Sequence, residues 1–406
     1  IMGETTEYAF PDASDDYIKI PTEQVKPLKG KYVMQVTSEL WETIYTDLIE
    51  LIAIDHPDSI DLFVPEQFTP PPFPGLKLYA LKNKIIPVSA VDKYGNDMLP
   101  YITARDDIYT PGMKAGKYQG ITEINELTLS PGEINVKDTL FIFLTGWIFP
   151  TDASINFSIS QSGKTELIPP EVQVSGHDGE WITVDRPGFP MGKDKTVISF
   201  IPGHLISNGS KVRIVTNMDI HWDQIFFAGR VTGSPLKVSL LRPVSADLHY
   251  RGFSATYRKG GRYGPHWFDY YRVNTETKWR DLTGIYTRYG NVLPLLKEID
   301  NQYIISNAGD EITVSFDVPE IASGNDHIKR TFFIRSVGWV KDGDMNTATG
   351  NRVEPLPFHG MKSYPYWDEK YYPADPDLKR YNRKYNTRKI TDQPLVRGIK
   401  EYAYGK

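Results

Sequence analysis

The sequence predicts an all-β protein: two β-sandwich domains of jelly-roll or galactose-binding-like type, with an extended arm before them and an irregular tail after. Three observations point there. Aromatic residues make up 13 % of the chain, including 25 Tyr and 8 Trp, and rings of this kind suit pleated, half-buried surfaces. Turn formers are dense, with 32 Gly and 30 Pro. Short apolar runs alternate with turn signals at the spacing of a sandwich. At 406 residues, 40 % hydrophobic and 24 % charged, the chain is long enough for two or three packed cores.

Composition also excludes several classes. With no cysteine, disulfides, thiolate zinc sites and cysteine nucleophiles are ruled out. A formal charge of −5 gives no reason to expect a nucleic-acid partner. The longest apolar run, Leu140 to Phe149, is interrupted by Thr145 and Gly146 and is too short for a membrane-spanning helix. No basic-then-apolar leader opens the chain, and Ile1 suggests a processed or trimmed piece of a longer product.

Residues 1–20 are polar and acidic with scattered rings, the pattern of an extended arm. Tyr32-Val33-Met34-Gln35-Val36 reads as a strand. Over 38–51, Leu40, Trp41, Ile44, Tyr45 and Leu48 sit at helical spacing while the β-branched residues favour extension. A short helix or turn followed by a strand is expected there. Phe68 to Gly75, with Pro70, Pro71, Pro72 and Pro74, is a polyproline connector. Strands are expected at 76–81, 86–91, 139–144, 155–159, 172–174, 181–184, 196–201 and 211–216, with Pro87 confining the second to a sheet edge. These fall in a first sandwich region, 21–235. A second, 236–340, contains 238–241, 248–250, 304–305, 312–316 and 331–335. Residues 341–406 show no core-quality period and read as a tail laid over the chain's own surface or a neighbour's.

Candidate sites come from a few clusters. Asp342, Asp344 and Asn346 place oxygen side chains at alternate positions, with Glu354 as a late carboxylate. This set could wrap Ca2+, although Gly343 and Glu354 stand off the EF-hand positions, so the motif is not an EF-hand. The competing reading is a solvated Asx turn. Arg213 to Asp223 offers Trp222 to stack a sugar and Asn217 or Asp219 to hydrogen-bond it; the competing reading is a Trp that closes a core. Trp181 and Trp267 are further stacking candidates. Asn156 and Asn208 head glycosylation sequons. Lys379 to Lys389 interleaves bases and rings, which on an acidic protein suits a carboxylate-rich surface. The segment 186–194 fails the phosphate-loop spacing. The eight His residues form no His-Glu-x-x-His pair, and no catalytic constellation can be named.

Several blocks together resemble a known family. These are Leu248-His249-Tyr250-Arg251-Gly252-Phe253-Ser254, Tyr263-Gly264-Pro265-His266-Trp267-Phe268-Asp269-Tyr270, Gly284-Ile285-Tyr286-Thr287-Arg288-Tyr289-Gly290, Gly309-Asp310-Glu311-Ile312, and Asp342 to Thr347 running on through His359. Upstream stand Glu39-Leu40-Trp41-Glu42, Ile54-Asp55-His56-Pro57, Thr145-Gly146-Trp147 and Thr216-Asn217 with Ile220, Trp222 and Asp223. Over roughly residues 20–390 the chain resembles the C-terminal region of FG-GAP/ASPIC-UnbV proteins, the bacterial relatives of cartilage acidic protein. The resemblance implies export and a binding or assembly role, and it supplies no catalytic residues. The 406 residues hold no β-propeller, so that family's propeller calcium sites do not transfer.

The expectation is therefore a non-enzymatic extracellular or cell-surface structural protein. It would pack with itself or with other surface proteins, in filaments or arrays. The alternative is a carbohydrate-binding module for polysaccharide. A sandwich-fold glycoside hydrolase or lyase ranks lower, because nothing nominates its acid and base.

Overall fold

A computed structural model describes residues 3–4, 11–134, 138–176, 179–190, 192–320, 327–344, 349–366, 372–373 and 375–391. Its spine is the 16-residue strand Glu42–Pro57. Ile328–Asp342 pairs antiparallel along the whole spine, from Pro57 opposite Ile328 to Glu42 opposite Asp342. Lys237–Leu241 and Ile304–Ser306 flank the spine's other side. Ser14–Ile20 lies beyond Ile328–Asp342, so the N-terminal arm is extended because it is a sheet strand.

A second sheet runs in the order Gly290–Asn291, Ser245–Tyr250, Asp310–Asp317, Lys31–Thr37. Between the two sheets Ile49, Leu51 and Ala53 of the spine meet Ala246, Leu248, Ile312, Val314 and Phe316. The spine's opposite face buries Ile52 and Ile54 against Ile60, Leu62, Val64 and Ala80. A strand covered on both faces loses the polar alternation by which strands are recognised. For that reason the helix or turn expected over 38–51 is replaced by a strand that starts at Glu42. Strands from both sides of the 235/236 boundary expected from sequence share this sheet.

A second sandwich is nested in the connection between the spine and Lys237–Leu241. Its five-stranded sheet runs Trp181–Asp185, Glu171–Ser175, Val212–Met218, Ile121–Ser130, Ser89–Asp92, and its three-stranded sheet Lys195–Pro202, Thr139–Ile148, Ile220–Ala228. Leu129, Ile142, Leu144, Val172, Val197, Ile214 and Phe227 fill the space between them. Each such side chain contributes on the order of 1.5–3 kcal/mol by leaving water. The outer face of the three-stranded sheet brings Phe143 and Phe226 into a stack, ring centres 4.9 Å apart. That stack packs on Phe63, Tyr79 and Leu81, which belong to the short strands Asp61–Phe63 and Tyr79–Leu81.

The strand expected at 155–159 is instead part of the helix Ala153–Ser162. Its ends explain it: the Asp152 carboxylate accepts the Ile155 amide at 2.7 Å, and Gly163 follows in the left-handed region at φ 58°. Those are an N-cap and a C-terminal glycine stop, and together they outweigh the β-branched residues.

The tail is irregular over 349–366, where Val353, Met361 and Tyr364 join Tyr45, Tyr303 and Trp339 in a buried cluster. It then forms the helix Pro376–Tyr385. Asp375 caps this helix by accepting the Asp377 and Leu378 amides, both at 2.9 Å, with Pro376 in the first turn where a missing N–H costs nothing. Leu378, Tyr381 and Tyr385, spaced for one helical face, enter the core of the first sandwich. Asn386–Ile390 then pairs with Gly284–Thr287. Within the basic run 379–389, Arg388 reaches the buried Asp310, and Arg380 pairs with Asp377 of its own helix.

A hairpin, Phe253–Arg258 with His266–Asn274, ties the two sandwiches together. At its base Arg251 stands 3.3 Å from Glu39 and 3.3 Å from Glu311. Near its tip the Trp147 indole N–H donates to the Tyr263 carbonyl at 2.8 Å, and Lys259 pairs with Asp107 at 2.8 Å.

Candidate functional site

A concavity lies at one mouth of the nested sandwich. The edge strand Ser89–Asp92 runs into a tight turn in which the Asp92 carboxylate accepts the Tyr94 and Asn96 amides and the Asn96 side chain, at 2.8–2.9 Å. Asp-x-x-Gly-Asn is a recognisable Asx-turn signature, and it holds Tyr94, Asn96 and Asp97 at the rim. Ile121–Ser130 contributes Glu123, Asn125 and Leu127, which share one face because strand side chains alternate. Facing them is Trp222 of the opposite sheet. Thr110 fixes it by donating its amide to the Trp222 carbonyl at 2.8 Å and accepting the Trp222 amide at 2.9 Å. Met98, Tyr101, Pro111, Gly112, Met113 and Lys114 complete a cleft of about 410 Å³.

Trp222 is only 3 % exposed and belongs to the sandwich core. Trp222 therefore closes the core and also forms the cleft's inner wall. Gly146 explains how it fits, since a Cβ there would collide with the His221 carbonyl and the Trp222 ring. The strand pairing shifts register at this point, as a bulge next to a close approach requires.

The other candidates are placed elsewhere. Asn217 accepts the Ile168 amide and donates to the Glu166 carbonyl, each at 2.7 Å, which pins the 163–170 segment. Asp219 sits 3.3 Å from His221, whose ring is stacked between Trp147 at 5.1 Å and Tyr263 at 5.7 Å. Trp181 lies under the Arg213 guanidinium at 4.3 Å. Trp267 is flanked by Lys193 at 4.9 Å and Lys259 at 5.0 Å. Asn208 is exposed and Asn156 half-buried on its helix. Asp92, Tyr94, Asp97, Tyr101 and Asn125 were not singled out from sequence; the Asx turn and the 123/125/127 alternation were the available signals.

Of the proposed calcium set, Asn346 lies outside the described residues. Asp342 is opposite Glu42, and the Glu42 carboxyl is pushed up to about 7 by burial and then by the Asp342 charge. Asp344 accepts the Ser154 hydroxyl at 2.7 Å, and Glu354 accepts the Ile285 amide at 3.1 Å. Among the described residues no group of three His, Asp or Glu is arranged to hold a metal ion. Beside Glu354 the buried Lys341 donates to the Thr349 hydroxyl at 2.8 Å and the Glu354 carbonyl at 3.2 Å. Burial draws its amine down to about 7.

Next to Trp222, on the other face of the strand, Asp223 is fully buried. One carboxylate oxygen accepts the Asp106 amide at 3.2 Å, and the other has no partner among the described residues. Burial first, then the charges of Asp194, Asp106 and Asp107, push this group up to about 7. A carboxylic acid whose pKa is raised in the folded state gains protons on folding between its unfolded and folded values. Stability from this group therefore falls as pH rises from about 4 to 7. Asp223→Asn should melt higher than the parent at pH 8, with the gap closing by pH 5 in a thermal series. A gap independent of pH would overturn that assignment.

No family model matches the chain, and no curated protein matches it. Among solved structures it is similar to infectious bursal disease virus, Gx strain, at 10 % identity, covering 96 % of this chain and 85 % of that one, with a TM-score of 0.18. It is also similar to the VP2 subviral particle of infectious bursal disease virus, at 8 % identity, 80 % and 79 % coverage and a TM-score of 0.13. A third is the triple jelly roll and turret assembly of an archaeal virus, at 8 % identity, 84 % and 92 % coverage and a TM-score of 0.15. At these scores the likenesses carry no argument.

Proposed function

We propose that the chain is a non-enzymatic structural protein, extracellular or at the cell surface, that assembles with copies of itself. The observation that carries this reading is the outer edge of the spine sheet. Lys237–Leu241 pairs with the spine on one side only, and among the described residues no strand covers its other side. Val238 and Leu240 on this strand are 43 % and 60 % exposed. Natural edge strands are usually blunted by charge, proline or a covering loop, so an apolar open edge suits pairing with another copy. The sequence reasoning placed the contact at the termini. Tyr364, Tyr381 and Tyr385 of the tail lie in the chain's own core instead, so this edge is taken as the contact.

The test is sedimentation velocity and negative-stain microscopy of the intact chain beside Val238→Lys/Leu240→Lys. Ordered assemblies are expected for the parent and folded monomers for the variant. A parent that stays monomeric at high concentration would sink the reading. The FG-GAP/ASPIC-UnbV resemblance supports the surface location and remains part of this proposal. So does Ca2+ at the loop that starts at Asp342: a chelator arm in the same series should lower the melting temperature, and an unchanged value would argue for an empty loop.

A further inference from the structure

The geometry points to the mouth of the nested sandwich, between the Asp92 turn and Trp222, as a binding site for neutral saccharide, a function separate from self-assembly. The cleft's volume of about 410 Å³ lies within the ordinary range for small-ligand sites and suits one or two sugar rings. Its wall is ready-made: the turn is locked by three hydrogen bonds to Asp92, and Glu123 is held by Tyr94 at 2.5 Å and Lys93 at 2.9 Å. Little ordering therefore opposes binding.

Against this rigid frame a small set of polar groups converges without internal partners. The Trp222 indole N–H, the Asn125 amide, the Tyr101 hydroxyl and one oxygen of Asp97 make no hydrogen bond within the chain among the described residues, although all four line the cleft. Although Trp222 as a residue is only 3 % exposed, its indole nitrogen is not sealed from solvent, so the N–H is available at the cleft wall. One donor, one acceptor and two groups that are both match the alternating hydroxyls of a sugar. Tyr101 supplies a ring face, and Met98 and Met113 supply adaptable apolar contact.

Charge selects the class of sugar. Asp92, Asp97 and Glu123 line the cleft against Lys114, a surplus of carboxylate that disfavours sialylated, sulfated or phosphorylated ligands and tolerates neutral ones. Trp181 and Trp267 have no part in the site, since each already packs against cationic side chains away from it.

The experiment uses the intact chain on an array of neutral and anionic glycans, followed by titration calorimetry with the neutral oligosaccharides that bind. Neutral glycans should bind, with Asn125→Ala and Tyr101→Phe each weakening affinity about fivefold to tenfold and Trp181→Ala leaving it unchanged. Asn125 is not part of the core cluster, and Tyr101→Phe keeps the ring that packs against it, so folding should survive and can be checked by the melting curve. Binding confined to anionic glycans, no binding at all, or binding indifferent to Asn125→Ala would each overturn the assignment. Because the edge variant Val238→Lys/Leu240→Lys leaves the cleft intact, it should still bind glycan, which separates this inference from the assembly reading.

Discussion

Tyr381→Ala should destabilise the first sandwich by about 3–5 kcal/mol, the usual scale for removing a buried ring. Tyr381 is 2 % exposed; its ring lies 6.2 Å from both Tyr303 and Tyr385. Its hydroxyl donates to the Tyr303 carbonyl, which the truncation would leave buried and unpaired. Tyr381→Phe keeps the ring and loses only the hydroxyl, so it should cost about 1 kcal/mol. The midpoint shift in urea unfolding reads both. A loss below about 1 kcal/mol for the alanine variant would mean that the helix Pro376–Tyr385 does not pack on the sandwich in solution. A deletion of residues 360–406 would disturb the fold as well as any assembly, because it takes Leu378, Tyr381 and Tyr385 out of the core.

Arg251→Met should be comparably severe, about 3–5 kcal/mol, for an electrostatic reason. Glu39, Arg251 and Glu311 are all buried, and the one guanidinium lies between two carboxylates. It also stacks on Tyr270 at 4.2 Å, while the Tyr270 hydroxyl donates to Glu311 at 3.0 Å. Removing the cation leaves two buried carboxylates at the hairpin base, held by the Ser254 amide and hydroxyl on Glu39 and by the Tyr270 hydroxyl and His249 beside Glu311. Arg251→Met/Glu311→Gln, which removes one of the two carboxylates as well, should recover part of the loss in a urea series. No recovery would indicate that packing of the Arg251 stem, and not its charge, holds the hairpin.

Much of the architecture was legible because many strands carry local marks. Residues 139–144, 172–174, 181–184 and 196–201 are β-branched or aromatic runs bounded by turns, and each lies within a strand. Pro87 pointed to an edge, and Ser89–Asp92 is the edge strand of its sheet. The spine was obscured by burial on both faces, and the helix Ala153–Ser162 by its β-branched interior. The 378/381/385 spacing was present in the tail but masked by the surrounding prolines and rings. Nesting was invisible for a different reason: pairing between Glu42–Pro57 and Ile328–Asp342 leaves no local trace in either strand. The site was legible only through Trp222, because its other groups converge from separate loops and strands.

The nested connection also orders folding in time. The spine cannot find Ile328–Asp342 until the long intervening segment has been made, and a loop that long is closed late and slowly. The inserted sandwich has its own core and needs nothing from downstream of Ala228 to complete its two sheets. Once folded, it turns a long floppy connection into a short, stiff one, and the entropy of closing the outer sheet falls accordingly. During synthesis the apolar spine strand therefore waits exposed while the inner unit forms. That interval is when the chain is most vulnerable to pairing with the wrong copy of itself.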